Sequence, residues 1–201
     1  APVTHAAGLS ETFSVSWNAT GAQTITVTAQ QCGLSVSASQ SVTVVEGTLS
    51  TLTPSGGALT TPAGPGGSTQ VQVPGGALTQ TTTLVLAPRD PDNAPGGYRF
   101  SGLGFTLEAY RDGQLLPTLI FAQPVMITVT YADDALGGQA EETLRLFVWS
   151  AGVWVDAATT CNPVSAYGRD LAQNRLSVAI CHLSQYSLFG QMQVYLPLLR
   201  K

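Results

Sequence analysis

Short stretches of alternating apolar and polar residues, separated by Gly- and Pro-rich turns, run through most of this 201-residue chain. Gln23 to Ala29 and Leu176 to Ile180 are two examples. In such a stretch successive side chains point to opposite sides, which is the pattern of a half-buried β-strand. No segment shows a convincing helical period, and Gln139 to Leu146 has room for at most one turn of helix. The sequence therefore predicts an all-β protein built from one or two sandwiches.

Residues 48–190 are expected to form one β-sandwich domain, because predicted strands recur there at regular spacing. These strands are Thr82–Ala87, Phe105–Tyr110, Val125–Tyr131, Leu144–Trp149, Val153–Asp156, Leu176–Ile180 and Ser187–Phe189. The stretch from 46 to 70 is turn-rich, and we interpret its segments Pro54-Ser55-Gly56-Gly57 and Pro62-Ala63-Gly64-Pro65-Gly66-Gly67 as turns. Residues 191–201 form a C-terminal tail whose apolar run, Val194–Leu199, is too short to span a membrane.

Residues 1–47 predict three further strands, Phe13–Trp17, Gln23–Ala29 and Val36–Val45. A complete immunoglobulin-type sandwich needs about seven strands in about 100 residues, so this stretch is interpreted as a partial module. A partial module leaves an open sheet edge, and open edges pair with other chains. We therefore expect a homo-oligomer or polymer joined by β-strand contacts, with Val194–Leu199 or a neighbour's residues 1–47 as donor.

The composition favours a secreted or cell-surface protein. Charged residues make up 10% of the chain, against about 25% in typical soluble proteins. The net charge of -4 and the scattered basic residues give no support to nucleic-acid binding. No apolar run approaches the length of a membrane span, and no motif calls for a cofactor.

The three cysteines fit an oxidising compartment. Cys161 and Cys181 flank a polar, turn-rich segment and are expected to face each other across a hairpin as a disulfide. Cys32 is left over, either as a buried thiol or as the partner of another group.

His182 and Ser184 are the candidate reactive residues. If Leu176 to Ser184 is one strand, Ile180, His182 and Ser184 share a face. The imidazole would then take the Ser184 proton as general base, and the hydroxyl oxygen would attack the Leu183 carbonyl to give an ester that water opens. The alternative is a half-buried strand whose histidine hydrogen-bonds a backbone carbonyl.

A tryptophan (Trp149 or Trp154), then Cys161, then Cys181-His182-Leu183-Ser184 and an apolar strand resemble the cleavage motif of GAIN domains in adhesion receptors. In that family the bond after His-Leu is broken by the following Ser or Thr. The resemblance implies single-turnover self-cleavage at Leu183–Ser184, with His182 and Ser184 as the acting residues.

Two further stretches carry a family resemblance. Val71 to Leu78 resembles the opening of the ankyrin/netrin-receptor-type sandwich, and Gly21 to Ala29 resembles strands of the PKD or immunoglobulin-like repeats of bacterial surface proteins. Together they imply a GAIN-like or ankyrin/netrin-receptor-type sandwich at about 48–190, preceded by part of a PKD or immunoglobulin-like repeat.

Other candidate sites are weaker. Asp90-Pro91-Asp92-Asn93 brings oxygen ligands together but lacks the glycine and closing glutamate of a calcium loop, so an acidic turn is the better interpretation and no metal site is predicted. Trp17, Trp149 and Trp154 would suit a binding platform, although tryptophans in a sandwich are usually core residues.

Three functions follow from these patterns. The leading one is an extracellular structural protein of a bacterial cell surface, such as the subunit of a filament or appendage. The second is a self-processing domain that cuts Leu183–Ser184 once. The third is a carbohydrate- or protein-binding module of a secreted protein. We do not expect a multi-turnover enzyme, since no second histidine or carboxylate constellation marks a pocket.

Overall fold

The structure is a computed structural model that describes residues 21–31, 34–44 and 47–192. The predicted strand Phe13–Trp17, the thiol of Cys32 and the tail segment Val194–Leu199 lie outside these residues. The chain divides into two compact units, Ala1–Glu46 and Gly47–Lys201. The prediction of an all-β, sandwich-like fold is confirmed.

The first unit contains a two-stranded antiparallel sheet. Its strands are β1 (Gly21–Gln31) and β2 (Leu34–Val44), and they pair without interruption over all 11 residues of each strand. The alternation of Thr with Ile or Val along β1 explains the extended conformation, because β-branched side chains favour strands.

The second unit contains twelve further strands in the described ranges. In chain order they are β3 (Thr48–Leu52), β4 (Gly57–Thr60), β5 (Gly67–Val73), β6 (Thr82–Pro88), β7 (Arg99–Arg111), β8 (Gln114–Leu115), β9 (Ile120–Tyr131), β10 (Arg145–Ser150), β11 (Val153–Asp156), β12 (Gly168–Asp170), β13 (Arg175–His182) and β14 (Ser184–Gly190). One short helix, α1 (Asp133–Leu136), and 3-10 turns at Glu141–Thr143, Ala157–Thr160 and Leu171–Gln173 lie between them.

These strands form two antiparallel sheets. The seven-stranded sheet has the order β11-β10-β14-β7-β6-β3, with β8 extending β7, and the five-stranded sheet has the order β12-β13-β9-β5-β4. Residues of both sheets contribute to a single buried cluster, which makes this unit a sandwich. Its largest fully buried side chains are Tyr186, Phe105, Phe189, Leu59, Leu84, Leu86, Leu107, Ile127, Leu144, Leu146, Leu176 and Ile180.

The turns predicted within residues 46–70 lie between strands, with Pro54 and Ser55 in the turn between β3 and β4 and Pro65 and Gly66 in the turn before β5. This stretch holds β3, β4 and the start of β5. Glycine is used there for close approach, since a Cβ on Gly66 would collide with the carbonyl oxygen of Gly102. Gly66 therefore serves both the turn before β5 and the close approach to β7.

Candidate functional site

The segment His182-Leu183-Ser184 lies where the chain passes from one sheet to the other. β13 ends at His182 in the five-stranded sheet, β14 begins at Ser184 in the seven-stranded sheet, and Leu183 joins them. The pairing of β13 with β9 also shifts register between Ile180 and His182. Leu176 to Ser184 therefore do not form one strand, so the condition under which Ile180, His182 and Ser184 would share a face is not met.

The hydroxyl of Ser184 donates a hydrogen bond to a backbone carbonyl. Ser184 Oγ donates to the oxygen of Trp149 at 2.6 Å, and the side chain is half-buried. A neutral amide carbonyl is a poor proton acceptor, so this hydrogen bond orients the hydroxyl without activating it as a nucleophile. In this geometry Ser184 joins the start of β14 to the end of β10.

The imidazole of His182 lies against the peptide that self-cleavage would break. Its Nδ1 is 3.1 Å from the carbonyl oxygen of Leu183. In the tautomer protonated at Nδ1, the ring donates to that oxygen and polarises the carbonyl. The hydrogen bonds of His182 and Ser184 thus end on two different carbonyl oxygens and do not join the imidazole to the hydroxyl. The general-base role requires a rotation of both side chains.

Tyr186 anchors the crossover between the two sheets, although no sequence motif marks this residue. It is fully buried, stacks on Phe105 with ring centroids 5.6 Å apart, and donates its hydroxyl to the oxygen of His182 at 2.6 Å. Burial raises the pKa of its phenol. The hydrogen bond satisfies a backbone carbonyl at the point where β13 leaves its sheet.

The predicted disulfide between Cys161 and Cys181 is confirmed, with the two Cα atoms 5.2 Å apart. It ties the end of the 3-10 turn Ala157–Thr160 to β13, one residue before His182. Thr160 adds a second link, because its hydroxyl oxygen accepts a hydrogen bond from the Cys181 amide at 3.4 Å. The crossover is therefore fixed covalently on its β13 side.

A polar network centred on Asp156 braces the segment that carries Cys161. The Asp156 carboxylate accepts from the amide of Ala158 at 3.0 Å, from the Tyr167 hydroxyl at 2.7 Å and from the Arg145 guanidinium at 2.6 Å. Burial, followed by the hydrogen bond to Asp156, raises the pKa of Tyr167. The position of Asp156 before Ala-Ala-Thr-Thr is a helix-capping signal that could have indicated this role.

Trp149 and Trp154 lie on the outer face of the seven-stranded sheet, so the expectation that they are core residues is wrong. Both are half-buried and meet edge to face at 5.1 Å, and Trp154 Nε1 donates to the side-chain oxygen of Asn93 at 2.9 Å. Rings at this angle do not form a flat platform for stacking a sugar. Trp17 lies outside the described residues, and the binding-module hypothesis stays a prediction.

The loop Asp90 to Asn93 is bound to the sandwich through the main-chain oxygens of Asp90 and Asn93 and the side-chain oxygen of Asn93. Asn93 accepts from Trp154, and the oxygen of Asp90 accepts from Gln185 Nε2 at 3.4 Å. Across the described ranges, no three His, Cys, Asp or Glu side chains are grouped to hold a metal ion. Within the same ranges, no helix has the length and apolar character needed to cross a membrane.

Comparison with protein-family models and with curated proteins finds no match to this chain.

Buried tyrosines are expected to make the sandwich sensitive to alkali. Burial and the 3.1 Å hydrogen bond to Glu141 raise the pKa of Tyr131 to about 12, while an unfolded tyrosine titrates near pH 10. As the pH rises, Tyr131 therefore loses its proton in the unfolded chain before it does so in the folded one. The stabilisation of the fold by the protonated Tyr131 side chain is complete below about pH 10 and is lost as the pH rises toward 12.

Chemical unfolding at a series of pH values, followed together with phenolate absorbance, measures this effect. Tyr131→Phe is the matched control and should reduce the loss of stability between about pH 10 and 12. A wild-type free energy of unfolding that stays constant across this range would contradict the expectation.

Proposed function

We propose that this chain is an extracellular structural protein of a bacterial cell surface whose copies assemble, through β-strand contacts, into a filament or appendage. The observation that carries the proposal is the β1–β2 hairpin. Its two strands pair over 11 residues each in a sheet that holds no other strand of the described ranges, and none of these residues is charged or a proline.

Unprotected strand edges promote association. A two-stranded sheet offers two edges with unpaired N–H and C=O groups, and natural proteins guard such edges with Lys, Pro, bulges or a covering segment. The β1–β2 register contains no bulge, and neither strand contains Lys or Pro. Because an isolated hairpin is only marginally stable in water, added strands from another copy would stabilise it.

The two faces of the hairpin differ in chemistry. On one face Thr26 and Thr28 hydrogen-bond across the sheet to Ser39 and Ser37, each at 2.9 Å. On the other face Val27 pairs with Ala38 and is 47% exposed. Covering this apolar face removes hydrocarbon from water, which adds a hydrophobic contribution to the backbone hydrogen bonds gained at an edge.

Charge and cysteine chemistry support the proposed location and assembly. With 10% charged residues and a net charge of -4, copies repel each other weakly when they pack closely. The Cys161–Cys181 disulfide suits an oxidising compartment outside the cytosol.

Val27→Lys tests the proposal, because it places an ammonium group on the apolar face of the hairpin. We expect it to weaken association at least about tenfold, a loss of about 1.4 kcal/mol, since the charge must be desolvated at the contact. Sedimentation velocity over a concentration series measures the effect.

The matched control is Val164→Lys, at a loop position of the sandwich that is 67% exposed. It should associate like the wild type. If both variants associate as strongly as the wild type, the hairpin is not part of the contact between copies. A wild type that never associates would refute the proposal.

A second candidate function, self-processing at Leu183–Ser184, is favoured by the imidazole contact with the Leu183 carbonyl oxygen. In this reaction Ser184 Oγ bonds to the Leu183 carbonyl carbon, its proton passes to the departing Ser184 nitrogen, and the amide becomes an ester. Water then adds to the ester and releases a carboxylate at Leu183.

Intact mass under denaturing conditions distinguishes the two candidates. Self-processing is expected to give two fragments whose masses sum to 20.9 kDa plus one water, and Ser184→Ala should abolish the cut. His182→Ala should slow it strongly, because the polarising ring is lost. A wild type that remains one species after prolonged incubation with hydroxylamine, which captures esters, excludes this candidate.

A further inference from the structure

We propose that the exposed edge of β3 is a second self-association site, at which the strand pairs antiparallel with β3 of another copy across a twofold axis. This inference rests on the proposed assembly and names one of its contacts. The strand orders of the two sheets end at four strands, β11 and β3 in the larger sheet and β12 and β4 in the smaller one.

The β11/β12 side of the sandwich is guarded. β11 ends in Asp156, which is paired with Arg145 at 2.6 Å, and β12 carries Arg169 and Asp170 within its three residues. Charges at an edge oppose pairing with another chain because they would have to be desolvated. The segment closed by the disulfide also follows β11, after the 3-10 turn Ala157–Thr160.

The opposite side lacks these devices. β3 has the sequence Thr-Leu-Ser-Thr-Leu, without charge, proline or glycine, and it pairs with β6 in an uninterrupted five-residue register. Leu49 is 67% exposed on this strand. β4 is shorter, at four residues, and the oxygen of its Gly57 already accepts from Gln72 Nε2 at 3.1 Å. Within the described ranges, β3 is therefore the longest unguarded edge of the sandwich.

The side-chain pattern of β3 is complementary to itself. Leu49 and Thr51 point outward, and Leu52 belongs to the core with 6% exposure. A twofold axis normal to the sheet must bring outward residues beside outward residues. The register centred on Ser50 meets this condition and pairs all five residues. It sets Leu49 beside Thr51 of the second copy and Leu52 beside Thr48, with no charge on either strand.

This contact explains how assembly would continue beyond a pair. A contact that uses the same patch on both copies closes as a dimer when it is the only one. A copy that joins one neighbour through its hairpin and another through β3 extends the assembly in two directions. The expected product is an open polymer with alternating contacts.

Leu49→Lys is expected to abolish the β3 contact and leave smaller assemblies joined through the hairpin, because two copies of the variant would bring ammonium groups close together at the paired edge. Val153→Lys is the matched control, since Val153 is 57% exposed on the guarded strand β11. It should polymerise like the wild type. The masses are read by sedimentation velocity on the full-length protein.

Ser50→Cys gives an independent readout. Residues directly opposite in an antiparallel pair have Cβ atoms about 4.5–5.5 Å apart, close enough for a disulfide after a small adjustment. In a Cys32→Ser background, mild oxidation should link Ser50→Cys into covalent dimers at least about tenfold faster than Ser55→Cys, whose exposed position lies in the neighbouring turn.

The possible results separate this inference from the proposed function. If Leu49→Lys polymerises like the wild type while Val27→Lys does not, the β3 contact is wrong and the hairpin contact stands. Equal linking of Ser50→Cys and Ser55→Cys also overturns the β3 contact, as would be seen if another segment of the same chain covered that edge. A wild type that stays monomeric overturns both.

Discussion

Tyr186→Ala is expected to lower the free energy of unfolding of the sandwich by about 3–5 kcal/mol. The ring is fully buried and stacks on Phe105, so its removal leaves a cavity between the two sheets. The oxygen of His182 also loses its 2.6 Å hydrogen bond at the crossover between sheets. Because domains are usually stable by only about 5–15 kcal/mol, this is a large share of the total.

Urea unfolding followed by tryptophan fluorescence measures this loss, and Tyr186→Phe separates its two causes. The phenylalanine keeps the packing and removes only the hydroxyl, for which we expect a loss of about 1–2 kcal/mol. A loss below about 1 kcal/mol for Tyr186→Ala would show that the crossover does not depend on this side chain.

Removing the disulfide by Cys161→Ser with Cys181→Ser is expected to lower the free energy of unfolding by about 3 kcal/mol. The two cysteines are 20 residues apart, and cutting the link lets the unfolded chain regain the entropy of an open loop. The unbraced segment between them would then be held mainly by the Asp156 network.

Reductant provides the control for the disulfide. It should destabilise the wild type by a similar amount and leave the double variant unchanged, while Cys32→Ser should keep the wild-type response. Quantitative thiol labelling of Cys161 and Cys181 in unreduced native protein would contradict the bond itself.

Period-two alternation predicted much of the fold because most strands have one buried and one exposed face. Val153–Asp156 has the same limits in the sequence prediction and in the structure, and Leu176–Ile180 lies within β13. Strand β3 was not predicted, because one of its exposed residues is a leucine and its half-buried residues are Thr and Ser. Apolar and polar residues therefore do not separate onto its two faces.

The candidate site was predicted only in part, for a related reason. The Cys161–Cys181 pairing could be predicted, because the two cysteines flank one turn-rich segment and are close in sequence. The sequence did not predict that the chain passes between sheets at Leu183. The buried residues Ile180, Tyr186 and Leu188 are all at even-numbered positions, so the alternation of buried and exposed residues continues as if one strand ran through Leu183. The partners of Ser184 and Asp156 come from other strands or from across a loop, which local patterns do not specify.

Sedimentation velocity of the full-length wild-type protein over a wide concentration range tests the assembly proposal most directly. We expect the mean mass to rise with concentration through multiples of 20.9 kDa, with extended particles visible by electron microscopy at the upper end. A single 20.9 kDa species at every concentration, with well-dispersed amide signals from β1 and β2, would contradict it.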